Sequence, residues 1–118
     1  MSYSISFKAK VQDKPIYLEI GFCGANVTWN VRDMITNSTG LEWENESSNG
    51  YCKDVIPKIR QGLEELIDNR EQYKRYESPN GWGTISGTVR FFWDIIDAWE
   101  SLLAEDEDLA EAALFWIS

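Results

Sequence analysis

Residues 3–11 place Tyr3, Ile5, Phe7, Ala9 and Val11 on one face of an extended chain and Ser4, Ser6, Lys8 and Lys10 on the other. A period of two belongs to a half-buried strand, because a helix would scatter the same apolar set around its axis. Gln12-Asp13-Lys14-Pro15 follows as a polar turn whose proline ends the first ladder. Residues 16–22 alternate again, with Ile16, Leu18, Ile20 and Phe22 on one side. The spacing predicts an antiparallel hairpin. A lone hairpin is marginal in water, so the remaining chain has to cover its apolar face.

That remainder reads as mainly helical. Gly21 and Gly24 loosen the exit from the second strand, and Val31, Met34 and Ile35 suggest a short helix capped by Asn30 with Asp33 three positions on. Residues 41–51 read as a polar, acidic loop that leaves Trp43 exposed among Glu42, Glu44 and Glu46. From about Asp54, the residues Val55, Ile56, Ile59, Leu63, Leu66 and Ile67 form one apolar stripe, with Pro57 tolerated in the first turn. Pro79-Asn80-Gly81-Trp82-Gly83 breaks the pattern, and Trp82 is expected to pin that turn into the core. Thr84 or Ser86 can cap the next helix. Its main stripe reads as Val89, Phe92, Trp93, Ile96 and Leu103, with Phe91, Ile95, Trp99 and Leu102 off it. A helix apolar on most of its circumference is central in the core or carries a second interface.

Residues 104–108 form an acidic break, and Leu114-Phe115-Trp116-Ile117 reads as a third strand returning to the hairpin, with a helix extension as the competing reading. The expected class is therefore α+β: an N-terminal antiparallel hairpin and a possible third strand, packed on two longer helices and one short helix. No repeat or linker divides residues 1–118, so a single domain is expected.

Charge is unevenly spread. The net charge is −9, yet residues 42–46 and the segment after Arg90 hold three and eight acidic residues and no base, so the rest of the chain is +2. Phosphate neutralisation needs a basic surface, so direct nucleic-acid binding is not expected. A basic protein partner is the natural complement, while the simpler reading has these acids keeping an aromatic-rich chain in solution. No apolar run approaches the roughly 18 residues that span a bilayer, and no leader is recognisable, so a cytoplasmic protein is expected. In that compartment Cys23 and Cys52 are expected to stay reduced, and the glycosylation sequons at Asn26, Asn37 and Asn45 to stay unused.

Histidine is absent, which removes the commonest general base and metal ligand together. Two cysteines cannot complete a zinc site, so neither metal nor cofactor is expected. Asp94, Asp97 and Glu100 project together on one helix and could hold a divalent cation or share acid and base roles, but an otherwise apolar helix needs such a wet edge. Glu105 to Asp108 lack the spaced oxygens and glycine of a calcium loop and read as a solvated turn.

Asn26-Val27-Thr28-Trp29-Asn30 after a hairpin, and Asn80-Gly81-Trp82-Gly83 before a helix, resemble two signatures of a group of small proteins of phages, prophages and bacterial genomes. The amphipathic helix with an early proline between them matches as well, so the resemblance covers roughly residues 20–104. The group has no established activity, and the resemblance implies a phage or mobile-element setting.

Three functions follow as expectations. The first is a protein-binding module, such as a modulator or inhibitor of a basic host protein, one version being a nucleic-acid mimic. Its candidate surface is Glu42, Trp43, Glu44, Glu46, Asp94, Asp97, Trp99, Glu100, Glu105 and Asp106. The second is an enzyme or a binder of a small polar ligand or nucleotide that uses Asn26, Thr28 and Asn30 with the Asp94/Asp97 edge, which a pocket lined by the Asn26–Asn30 side chains would favour over simple capping. The third is a homodimer that buries the surplus aromatics of the last long helix, where the alternative is a monomer.

Overall fold

The computed structural model describes residues 2–10 and 17–118, without the side chains of residues 17, 18 and 20–24. In chain order the elements are β1 (Ser2–Lys10), β2 (Tyr17–Thr28), α1 (Arg32–Thr39), β3 (Ser47–Tyr51), α2 (Cys52–Asp68), α3 (Arg70–Tyr73), α4 (Ile85–Glu105), α5 (Glu107–Ala112) and β4 (Leu114–Ile117). The fold is α+β, as the patterning predicts. The expected turn at residues 12–15, the partners Val11 and Ile16, the shared face of Leu18, Ile20 and Phe22, and the state of Cys23 lie outside the described residues.

β1 and β2 form the antiparallel hairpin, and β4 pairs with the other edge of β1, so the sheet order is β2-β1-β4-β3 with every pair antiparallel. Leu114–Ile117 is the returning strand and not a helix extension, and a separate short helix, α5, precedes it. β2 does not end at the glycines. It runs on to Thr28, and the register shifts opposite Ser4/Ser6 and Phe7/Lys8 fall beside Gly24 and Gly21. There the glycines accommodate bulges, which keep Tyr3, Ile5 and Phe7 on the core face while the longer strand bends past them.

The helices cover that inner face. α4 lays Phe91 and Trp99 toward the sheet, Trp99 meeting Phe7 edge to face at 6.3 Å. Thr84 caps α4 by accepting a hydrogen bond from the Gly87 amide. α2 begins at Cys52, earlier than the apolar stripe suggests, which puts Pro57 beyond the first turn. The short helix also differs in its start. Thr28, not Asn30, accepts the capping bond, and a 3₁₀ turn over Trp29–Val31 precedes α1. Gly40 ends α1 at φ 77°, the left-handed conformation that glycine adopts without penalty.

Four expectations are overturned here. Trp43 is fully buried, enclosed by Tyr3, Phe91 and Phe115. Residues 41–51 are not all loop: Asn49 donates to the Glu42 carbonyl, and β3 forms against β4 through a register shift at Gly50. Along α4 the buried residues are Ile85, Thr88, Phe91, Phe92, Ile95, Ile96, Trp99 and Leu102, whereas Trp93 and Leu103 are exposed. The aromatics placed off the stripe are thus core residues, and Trp99 is not available to a partner. Ile67, assigned to the α2 stripe, is also exposed.

Two buried tyrosines tie the core to pH. Burial, reinforced by Glu44 and opposed by Arg32, raises the Tyr3 phenol above its ordinary 10.0. Burial and then the hydrogen bond to Glu65 at 3.1 Å do the same for Tyr73. A folded-state pKa above the unfolded value favours the protonated fold, so this stabilisation is complete below about pH 10 and is lost as pH rises through the folded values. Denaturation measured from pH 9 to 11 should show stability falling above pH 10, and Tyr73→Phe should make that fall shallower.

Candidate functional site

The two signature segments, separate in sequence, meet in space. β2 delivers residues 26–28 to one end of the sheet, the 3₁₀ turn carries Trp29 to Val31, and the chain before α4 returns residues 80–84 against them. Between them lies an open cleft of about 660 Å³, lined on one side by Asn26, Thr28, Trp29 and Asn30 and on the other by Asn80, Trp82, Gly83 and Thr84. Ser2, Val27, Val31 and Gly87 complete the wall. None of these side chains is ionisable, in a chain whose residues are 26% charged.

Local chemistry explains the wall's shape. Asn80 Oδ1 accepts from the Trp82 amide at 2.9 Å and the Ser78 hydroxyl at 2.6 Å, which closes the turn. Gly81 and Gly83 then take φ values of 78° and 89°. A side chain at Gly83 would also come within 2.9 Å of Val31 Cγ1 and 3.1 Å of Asn30 Cβ, so glycine is what lets the two segments touch. Asn26 donates to the Ser2 and Ser4 hydroxyls at 3.1 and 2.7 Å, and the Trp29 indole donates to the Ser2 carbonyl at 3.1 Å. These bonds fix Asn26 and Trp29 in place.

Trp82 does not pin the turn into the core. It is 67% exposed, and Trp29 is 41% exposed. A tryptophan costs free energy when left in water, and its conformation here is dictated by a turn that needs no indole. Ser2 and Thr84 belong to the cleft although no motif marks them; they arrive through strand pairing and helix capping.

The acidic candidates are dispersed among other tasks. Glu42, Glu44 and Glu46 are exposed around the buried Trp43, Glu46 at φ 59°. Asp94 pairs with Arg90, Glu100 with Arg60, and Glu111 with Lys53. Exposed pairs of this kind contribute little stability. Glu105 ends α4, and Asp106 caps α5 by accepting from the Leu109 amide at 3.0 Å. Glu107 and Asp108 fill the first turn of α5, where the helix dipole favours negative charge. The acidic break is therefore a helix start.

A second concavity, of about 480 Å³, lies between α2 and α4, and there two candidate carboxylates, Asp97 and Glu100, adjoin exposed apolar side chains, Ile67 and Trp93. Sequence reasoning missed both apolar residues because it placed them in the core. Among the described residues no cluster of carboxylate and cysteine side chains is arranged to hold a metal ion, and no helix is long and apolar enough to cross a membrane. Compared with known proteins, the chain matches no family model, no curated protein and no solved structure.

Proposed function

We propose that the chain is a non-catalytic binding module that holds a neutral polar ligand in the cleft formed by residues 26–31 and 80–87. The observation that carries this reading is the convergence of both signature segments on one wall free of ionisable side chains and flanked by two exposed tryptophans. Ligand sites commonly combine aromatic surface with a few fixed polar groups. Here the indoles offer flat apolar surface, while Asn30, Thr28 and Ser2 offer amide and hydroxyl groups at its edge. That combination suits a ring with C–H groups on its face and hydroxyls on its rim, as in a neutral saccharide.

A phosphorylated nucleotide is the poorer fit. A phosphate brought into the cleft would lose water without meeting Lys or Arg. The α4 start does not substitute for a cation, since the Ile85 amide already donates to Glu77 at 2.8 Å and the Gly87 amide to Thr84 at 3.0 Å. Both segments that resemble the phage and prophage group lie at this cleft, so the reading extends to that group, with a host cytoplasm as the setting.

Indole N–H resonances in ¹H–¹⁵N spectra test it. Neutral oligosaccharides should shift the Trp29 and Trp82 signals and leave that of the buried Trp43 in place. Trp82→Ala should weaken the interaction about tenfold, the scale of one aromatic stacking contact. Shifts caused by nucleoside phosphates and not by neutral sugars would overturn the ligand class; shifts at neither indole with any of these probes would overturn the site.

A further inference from the structure

The groove between α2 and α4 has a regular construction. Arg60, Leu63, Glu64 and Ile67 line it from α2, and Trp93, Ile96, Asp97 and Glu100 from α4. Both sets follow the i, i+3, i+4, i+7 spacing of a single helical ridge. The Arg60–Glu100 ion pair joins residues at opposite ends of the two sets, so the helices run antiparallel. The groove consequently has a polar end at Arg60 and Glu100, and an apolar end at Ile67 and Trp93. Leu63 and Ile96, each 7% exposed, form its floor, while Ile67 and Trp93 are 55% and 57% exposed. Seven residues of helix rise about 10 Å, roughly two turns of a docked helix.

We propose that this groove docks a cationic amphipathic helix of a partner protein. The apolar end supplies an aromatic anchor of the type that dominates helix-in-groove recognition. The rim supplies the sign: Glu64, Asp97 and Glu100 against Arg60, whose guanidinium is already held by Glu100. No Lys or Arg follows Arg90 in the chain, so nothing later on α4 offsets these carboxylates. A second copy of the chain is the wrong occupant, because each copy carries −9 and would set the same acidic rim against itself. The expected basic partner is thereby narrowed, within its candidate surface, to the part on α4 that holds Asp97 and Glu100.

The probe is an 18-residue synthetic Leu/Lys amphipathic helix, with a Leu/Glu helix of identical pattern as control, titrated by fluorescence anisotropy. The Leu/Lys helix should bind, shift the Trp93 indole and not that of Trp82, and bind more weakly as salt rises. Trp93→Ala, at an exposed position, should weaken binding about tenfold. Asp97→Asn with Glu64→Gln should weaken it and reduce its salt dependence, whereas Glu107→Gln with Asp108→Asn on α5 should change neither. Equal binding of the Leu/Glu helix would overturn the proposal, as would binding that survives Trp93→Ala or responds equally to the α5 pair. Sedimentation showing a dimer that Trp93→Ala disperses would overturn it in favour of a second copy.

Discussion

Alanine at position 43 is expected to lower the unfolding free energy by about 3–5 kcal/mol, the usual cost of emptying a buried aromatic site. Domains of this kind have only about 5–15 kcal/mol in total, so the variant should lose a large share of its stability. The reason lies in its neighbours. Trp43 meets Tyr3 at 5.6 Å and Phe91 at 5.6 Å, both edge to face, and Phe115 at 5.7 Å. These rings belong to β1, α4 and β4, so one side chain joins the first strand, the last strand and the longest helix. Its indole N–H is buried without an acceptor among the described residues, which costs free energy that phenylalanine would not incur. Trp43→Phe should therefore lose less than half as much as Trp43→Ala. Urea denaturation of both variants checks this; a loss below about 1 kcal/mol for the alanine variant would mean that Trp43 lies at the surface.

The second large effect is expected at Gly62, inside α2. Alanine is ordinarily better than glycine in a helix by about 1 kcal/mol. Here its methyl group would stand 2.4 Å from Thr39 Cγ2 and 3.2 Å from Phe92 Cε2. Thr39 cannot turn aside cheaply, because its hydroxyl donates to the Ile35 carbonyl at 2.7 Å and accepts from the Leu41 amide at 3.1 Å. Gly62→Ala should destabilise by about 1–3 kcal/mol despite the propensity gain, as overpacked cores do. Thr39→Ser keeps the hydroxyl and removes the offending methyl. In that background Gly62→Ala should recover most of the loss, and a double-mutant cycle measures the coupling. Additive effects would place the clash elsewhere.

These two positions also show where sequence patterning stops. The hairpin, the returning strand and the two long helices were legible because each has a clear period or a turn residue at its end. Trp43 was not, since local polarity in Glu42-Trp43-Glu44 describes the backbone's surroundings and not the direction of one ring. The ring points inward because Tyr3, Phe91 and Phe115, remote in sequence, converge there. β3 was hidden for a related reason. Ser47-Ser48-Asn49-Gly50-Tyr51 has no apolar alternation, and pairing with β4 makes it a strand. On α4, apolar residues cover so much of the surface that periodicity fits two phases; contact with the sheet and α2 selects the one that leaves Trp93 outside. For the cleft, both motifs could be read, but not their meeting, which depends on the close approach at Gly83.

Strand order has a kinetic consequence. β4 lies between β1 and β3, and Ser4 and Ser118 exchange backbone hydrogen bonds at 2.8 and 2.9 Å. Until residues 114–117 have left the ribosome, β1 has one open edge and β3 has no neighbour in the sheet. Every helix that packs on the inner face is synthesised before the strand that completes that face. The β1–β2 hairpin, α2 and α4 can pack on one another before then, whereas the pairing of β1 with β4 joins segments far apart in the sequence. High sequence separation of this kind slows folding, and the net charge of −9 sets partly folded copies of the chain to repel one another.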